Sequence, residues 1–359
     1  KKFTKRGLRL NILLVGENGT GKKTFINTLA NRQYYDPAQR CESGNLFEFG
    51  SKAFNMRINT HTIMEQNATP ISLNVSFTDN YGFNLENSTN SKDLIDFIEN
   101  EYKAVLTEEI RIERNTLPYD SRIHVTLYFV KPTGKPLNEF DITNMKKLGE
   151  RTNLIPIISK ADTLTDSEVI LNKNLIMGSI IDNQIEIFDF LSPFEHEHQI
   201  DEEDQEDYLY LKSLQELMPF TIIGSNSKFD SQDDKRFRVN TCGTIDVNDV
   251  SNCDFKILRN VLLASHIEEF KEATIIKKYE NYRIEELVRM HHQKEEEENK
   301  PPMLKIYQQL REEEHQLQLQ LEQQLQLQQL QLQQQQQQQQ QFQQGGGGGA
   351  ATLQEVETS

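Results

Sequence analysis

The stretch GENGTGKKT, Gly16–Thr24, separates an apolar run, RLNILLVG (9–16), from a run with helical spacing, KKTFINTLA (22–30). Strand, glycine loop and helix in that order form a unit whose loop amides and helix N-terminus converge on an anion. Gly16, Gly21 and Lys22 meet the pattern G-x-x-x-x-G-K-[S/T]. Asn18, Gly19 and Thr20 complete the loop, and the Lys22 ammonium is the group that reaches outer phosphates. The eighth position, where a hydroxyl would hold Mg²⁺, is Lys23. Thr24 lies one residue further, rotated by about 100° around a helix, so it is a poor substitute.

Four more β-rich runs follow: ISLNVSFTD (71–79), IHVTLYFVKP (123–132), NLIPIISKAD (153–162) and PFTIIGSN (219–226). Helix-compatible sequence separates several of them. The alternation predicts an α/β fold, a doubly wound, mainly parallel sheet of the P-loop GTPase kind, with ligand at the carboxyl ends of the strands. Each remaining polar motif falls at such an end. TDNYG carries Asp79 and Gly82 as D-x-x-G, an acid for the metal shell and a glycine amide for a γ-phosphate. SKAD, Ser159–Asp162, resembles the N-K-x-D element of GTPases, in which Asp162 would accept from guanine N1 and N2 while the Lys160 stem covers the base. A buried carboxylate left without donors rejects adenine, which is the physical source of guanine specificity. GSN, from Gly224 to Asn226, would close the base pocket by backbone.

Composition limits the rest. Hydrophobic content is 36 %, low because the chain from about Glu295 onward is nearly all Glu, Gln and Leu, then Gly. Net charge of −16 argues against general nucleic-acid binding. The first nine residues nevertheless hold five bases and no acid. Cys41, Cys242 and Cys253 share no ligand spacing and are expected to be reduced thiols of a cytoplasmic protein. His196 and His198 lack a third ligand at metal spacing, and DEEDQED (201–207) reads as a solvated loop. Residues 254–290 read as long helix. Beyond Pro301 and Pro302, apolar residues at Met303, Ile306, Leu310, Leu317 and Leu321 make a weak coiled-coil candidate, followed by nine glutamines and five glycines that cannot build a core.

The runs GENGTGKKTFINTL, SRIHVTLYFVKPTG, FDITNMKKL, NLIPIISKADTLT, PFTIIGSN, CDFKILRNVLLASHIEEFKEAT and YENYR, collinear over residues 5–285, resemble those of septins, filament-forming guanine-nucleotide-binding proteins. The resemblance implies a guanine-nucleotide domain over 10–285 with a septin-type C-terminal extension, a helical segment over 286–332 and a low-complexity tail over 333–359. It implies GTP or GDP as cofactor, other septins as partners in hetero-oligomeric filaments, and a cytoskeletal place at the cell cortex or division site. Arg238 matches the arginine of R-x-Y-P-W-G that packs on guanine, and Gly243 its last glycine. Thr24 matches a second hydroxyl facing an inner phosphate. The basic leader, residues 1–9, corresponds to a segment associated with anionic phospholipid; a plain solubilising leader is the competing reading.

Departures from the family pattern cluster around the chemistry. Lys23 stands at the magnesium hydroxyl, Met56 at the threonine that orients attack, Lys135 at a histidine that reaches a phosphate across a subunit interface, and Cys242 at a tryptophan. Phosphoryl transfer rests on metal and a water-orienting group. Two readings therefore stay open: a structural subunit that binds nucleotide with weak or no hydrolysis, and a slow Mg²⁺-dependent GTPase whose turnover switches assembly. Lys23 either replaces the metal charge beside the diphosphate or points to solvent.

Overall fold

A computed structural model describes residues 8–35, 46–48, 55–63, 71–78, 89–111, 120–192, 205–227, 236–241 and 243–299. The chain divides into two units, Lys1–Glu286 and Leu287–Ser359. Within the second, the described residues are the helical ones, 287–299.

The first unit is built on a seven-stranded sheet, β1 (Leu8–Gly16), β2 (Leu46–Glu48), β3 (Asn55–Ile63), β4 (Ile71–Thr78), β5 (Val125–Val130), β6 (Leu154–Ser159) and β7 (Phe220–Ile222), in the order β2-β3-β4-β1-β5-β6-β7. Strands β4, β1, β5, β6 and β7 are parallel. At that edge β3 runs antiparallel to β4, and β2 antiparallel to β3. That edge was not expected: NMRINTHTI is polar and carries little apolar alternation. A separate hairpin joins β8 (Phe237–Asn240) to β9 (Gly243–Asp246).

Helices cover both faces. Even positions of β1, Leu10, Ile12 and Leu14, enter a core with Val125, Leu127 and Phe129, with Phe25 and Ile26 of α1 (Lys22–Ala30), and with Leu214 of α5 (Gln205–Leu217). Phe255 and Leu258 of α6 (Phe255–Asn260) and Phe270 of α7 (Ile267–Ala273) close the same core. Phe25 stands edge-on to Phe129 at 5.4 Å and to Phe255 at 6.1 Å. Burying a side chain of this size contributes about 2–3 kcal/mol, which fixes α1 on β5 and α6. On the opposite face Tyr128 donates to Asp141 Oδ1 at 2.6 Å on α3 (Glu139–Arg151). There Tyr102 of α2 (Thr89–Ile110) also donates to Arg151 O at 2.6 Å.

The expected long helix after Cys253 is interrupted. The π-helical turns Val261–Ser265 and Thr274–Tyr279 flank α7, and His266, at φ −123°, breaks the helical path before α8 (Glu280–Asn299) begins. The buried His266 ring stands edge-on to Phe190, and its Nδ1 lies 2.6 Å from Ser265 Oγ. A polar seam ties this region to the amino ends of β5 and β6. Asn153 Nδ2 donates to His124 O at 2.8 Å and to Phe270 O at 2.9 Å.

Candidate functional site

The loop from β1 to α1 is shaped by what glycine alone tolerates. Gly16 has φ +144°, and a Cβ on it would lie 2.5 Å from Phe129 O on the adjacent strand. Gly21, at φ +89°, is the left-handed residue from which α1 starts. Thr20 Oγ1 donates to Glu17 O at 2.8 Å and tightens the turn between them. Buried Lys22 donates from Nζ to Gly16 O at 2.6 Å and Glu17 O at 2.8 Å, so its ammonium is pinned over the loop. Glu17 pairs with Lys131 at the carboxyl end of β5. Lys23 and Thr24 are half-buried in the first turn of α1.

Acids gather beneath this loop. Burial raises Asp141 above the usual carboxylate range, with the Tyr128 hydrogen bond partly opposing and the Glu17 charge adding to the rise. Burial, and then the Asp141 charge, push the Tyr128 phenol well up. The pair shares one proton held on the phenol, and it fixes α3 under β5.

The second half of the site comes from β6 and β7. Ser159 Oγ donates to Val130 O at 2.9 Å and ties the end of β6 to the end of β5. Lys160 then turns the chain in the left-handed region, φ +54°, a conformation that costs a non-glycine residue about 1 kcal/mol. The turn leaves Lys160 exposed and sets Asp162 in the short 3₁₀ turn Ala161–Thr163. A capping box between Thr165 and Glu168 starts α4 (Asp166–Asp182) immediately afterwards. The Asp162 side chain is 5 % exposed. Its Oδ2 accepts from Arg238 Nε at 3.2 Å and from Asn240 Nδ2 at 2.9 Å, both on β8. Positions 238 and 240 alternate on a strand, so they present to one face.

The loop after β7 joins the two halves. A Cβ on Gly224 would lie 2.8 Å from the Thr24 methyl, so the helix of the glycine loop packs directly on it. Ser225 N donates to Thr28 Oγ1 at 2.9 Å. Fully buried Arg236 donates from Nε to Thr28 O at 2.8 Å, near the end of α1, and its guanidinium lies over Phe255. A cation is favourable at a helix C-terminus. β7 itself is held by Asp254, whose Oδ2 accepts from Thr221 N at 2.8 Å, Thr221 Oγ1 at 2.6 Å and Lys173 Nζ at 3.0 Å.

The structure thus brings Gly16, Asn18, Gly19, Thr20, Gly21, Lys22, Lys23, Thr24, Lys160, Asp162, Gly224 and Arg238 to the carboxyl ends of β1, β6 and β7 and the adjoining hairpin. Asp79 and Gly82 lie outside the described residues, as do Cys41, Cys242, His196, His198 and the leader residues 1–7. Met56 is the second residue of β3, paired with Thr78 at the end of β4. Lys135 lies in an exposed loop that α4 holds: Gly134 N donates to Asn172 Oδ1 at 2.9 Å and Leu137 N to Ser179 Oγ at 3.2 Å. Two residues went unanticipated, Arg236 and Asn240. The alternation of Arg238 and Asn240 in FRVN was the available signal for the second; nothing in the sequence marked the first. Among the described residues, no group of three or more His, Cys, Asp or Glu could hold a metal ion, and no helix is long and apolar enough to cross a membrane.

The family model for septins matches residues 6–296. Cell division control protein 11 of Saccharomyces cerevisiae is 38 % identical over 292 residues, covering 80 % of this chain and 68 % of that protein. The septin homolog spn3 of Schizosaccharomyces pombe is 35 % identical over 295 residues, covering 80 % and 75 %. Sporulation-regulated protein 28 of Saccharomyces cerevisiae is 33 % identical over 319 residues. Among solved structures, that of the cell division control protein 11 superimposes with a TM-score of 0.50 at 32 % identity, covering 77 % of this chain and 99 % of the other. With its glycine loop, its acid-bearing turn after β6 and this extent of similarity, the chain belongs to the septin family.

Proposed function

We propose that this septin is a filament subunit that holds GTP or GDP as a structural cofactor and hydrolyses it weakly or not at all. The carrying observation is the pairing of an intact cradle with Lys23 at the metal position. The residues fit a guanine nucleotide. Loop amides around Gly19 and Gly21, open where a Cβ would project, and the pinned Lys22 ammonium suit phosphates. The nearly buried Asp162 carboxylate suits the N1 and N2 donors of guanine. Gly224 and Thr24 pack the base and phosphate halves together.

The residues fit Mg²⁺ poorly. Lysine at position 23 is a cation where the ion needs an oxygen. What the chain's own residues do is bind and orient: Lys22 and Lys23 place two positive charges by the phosphates. The neighbouring Glu17–Lys131 pair holds the loop. Met56 offers no hydroxyl to orient water.

Assembly with other septins into hetero-oligomers at the division site is the reading supported by the family and by relatives whose names record cell division and sporulation. The basic leader is a candidate contact for anionic phospholipid, at about 1 kcal/mol per base near such a surface. The competing reading, a slow Mg²⁺-dependent GTPase, is decided by the same purified protein. Nucleotide released on denaturation is identified by chromatography, before and after exposure to Mg²⁺. Steady conversion to GDP would favour the enzyme.

A further inference from the structure

We infer that Asn240 competes with guanine for Asp162 and so lowers this site's discrimination between guanine and hypoxanthine nucleotides. The inference rests on the guanine-nucleotide reading above and concerns a residue outside the loop motifs.

A carboxylate reads guanine with two acceptors, one for N1–H and one for the N2 amino group, and each oxygen has two lone-pair directions. In the structure both protein donors fall on the same oxygen. Oδ2 accepts from Asn240 Nδ2 at 2.9 Å and from Arg238 Nε at 3.2 Å. Among the described residues no donor falls on Oδ1. One base donor can therefore enter at Oδ1 at no cost, while a second must displace a bond already made at Oδ2. Hypoxanthine presents only N1–H and needs only Oδ1. Guanine needs both.

The hairpin is built to keep those donors in place. Asn226, two residues past Gly224, grips β8 between them: its Nδ2 donates to Val239 O at 2.9 Å and Val239 N donates to its Oδ1 at 2.7 Å. Ser225 Oγ donates to Phe237 O at 2.8 Å from the same loop. β9 pairs behind, Arg238 with Ile245 and Asn240 with Gly243. A donor held by a rigid hairpin loses little entropy in bonding to Asp162, so it is an effective rival to the base. Asn240 acts here only through Asp162. Its side chain is half-buried and its backbone pairing does not depend on its amide.

The test compares GDP with inosine diphosphate, which lacks the N2 amino group, by calorimetric titration of the full chain as wild type, Asn240→Ala and Asn240→Thr. Threonine keeps strand propensity, and its hydroxyl is too short to reach Asp162. Melting curves without nucleotide check that each variant is folded. Removing the competing amide frees one lone pair at Oδ2, so GDP binding should tighten about tenfold, the scale of one charge-assisted hydrogen bond. Inosine diphosphate should change less than about twofold. A merely structural role for Asn240 would move both nucleotides together, and that result, or weaker GDP binding by the variants, overturns the inference while leaving the guanine site standing. Binding of neither nucleotide by any of the three proteins overturns the guanine-site reading and the inference with it. GDP binding by the variants alone supports both.

Discussion

At the scale of single residues, the proposed loss of turnover rests on position 23. A lysine in the first turn of α1 cannot coordinate a divalent ion, yet its charge lies one residue from the Lys22 ammonium that crosses the loop. Replacing it with serine restores an oxygen at the place where magnesium is ordinarily held. Lys23→Ser should therefore make GTP affinity Mg²⁺-dependent, with roughly a tenfold gain on adding the ion, where the wild type changes less than about threefold. Equilibrium titration with and without chelator measures it. The loop residues were legible in the sequence because each is chosen by covalent geometry: Gly16 cannot carry a Cβ so close to Phe129 O. Asn240 was harder to see because its role needs a partner 78 positions away, Asp162, and the hairpin that delivers it is only four residues a side.

At the scale of elements, α1 is a strut fixed at both ends. Its first turn packs on Gly224, while Arg236 and Ser225 bond to Thr28 near its last. Arg236 has no exposed surface and reaches from the hairpin across Phe255 to the helix end. Arg236→Met keeps the apolar stem and removes the donors. It should lower stability by about 1.5–3 kcal/mol, the scale of the buried charge-assisted hydrogen bond to Thr28 O that is lost. It should also weaken nucleotide binding, because both halves of the site hang on α1. Chemical denaturation and nucleotide titration of the same variant check the two effects together. The parallel strands β1, β4, β5, β6 and β7 were legible because four are continuous apolar runs and β4 alternates. The readings of β4, β5, β6 and β7 overran their ends by one to four residues, most at PFTIIGSN, where only Phe220–Ile222 pairs as strand, while β1 was read one residue short. The edge strands β2 and β3 are polar and held by neighbours rather than by pattern. The helical run after Cys253 was read as unbroken because apolar spacing does not reveal the π-helical turns or the break at His266.

At the scale of the whole molecule, the site end and the opposite end of the sheet have different electrostatic duties. The far end carries His124, whose Nδ1 accepts from Asn11 N at 3.0 Å, so the ring is neutral with its proton on Nε2 toward Asp120. Burial lowers His124 below the usual histidine range, against the upward pull of Asp120. Burial tends to raise Asp120, but His124 and Arg122 outweigh it and hold the carboxyl well below its ordinary range. Both groups bind protons more readily unfolded than folded, so both stabilise the fold at higher pH. Stability should be full above about pH 6.5, fall as the pH drops below that value because unfolded histidine takes up a proton, and fall again below about pH 4 as unfolded aspartate does. His124→Asn, which can retain an acceptor for Asn11 N, should flatten the decline between about pH 6.5 and 5 in melting-temperature measurements. An unchanged slope would mean that other groups govern it.

The central claim is that the chain holds guanine nucleotide without turning it over well. It is tested most directly by denaturing the purified protein and chromatographing what it releases. The account predicts close to one guanine nucleotide per chain, with GTP remaining GTP after incubation with Mg²⁺. Release of no nucleotide, or prompt Mg²⁺-dependent conversion of bound GTP to GDP, would contradict it.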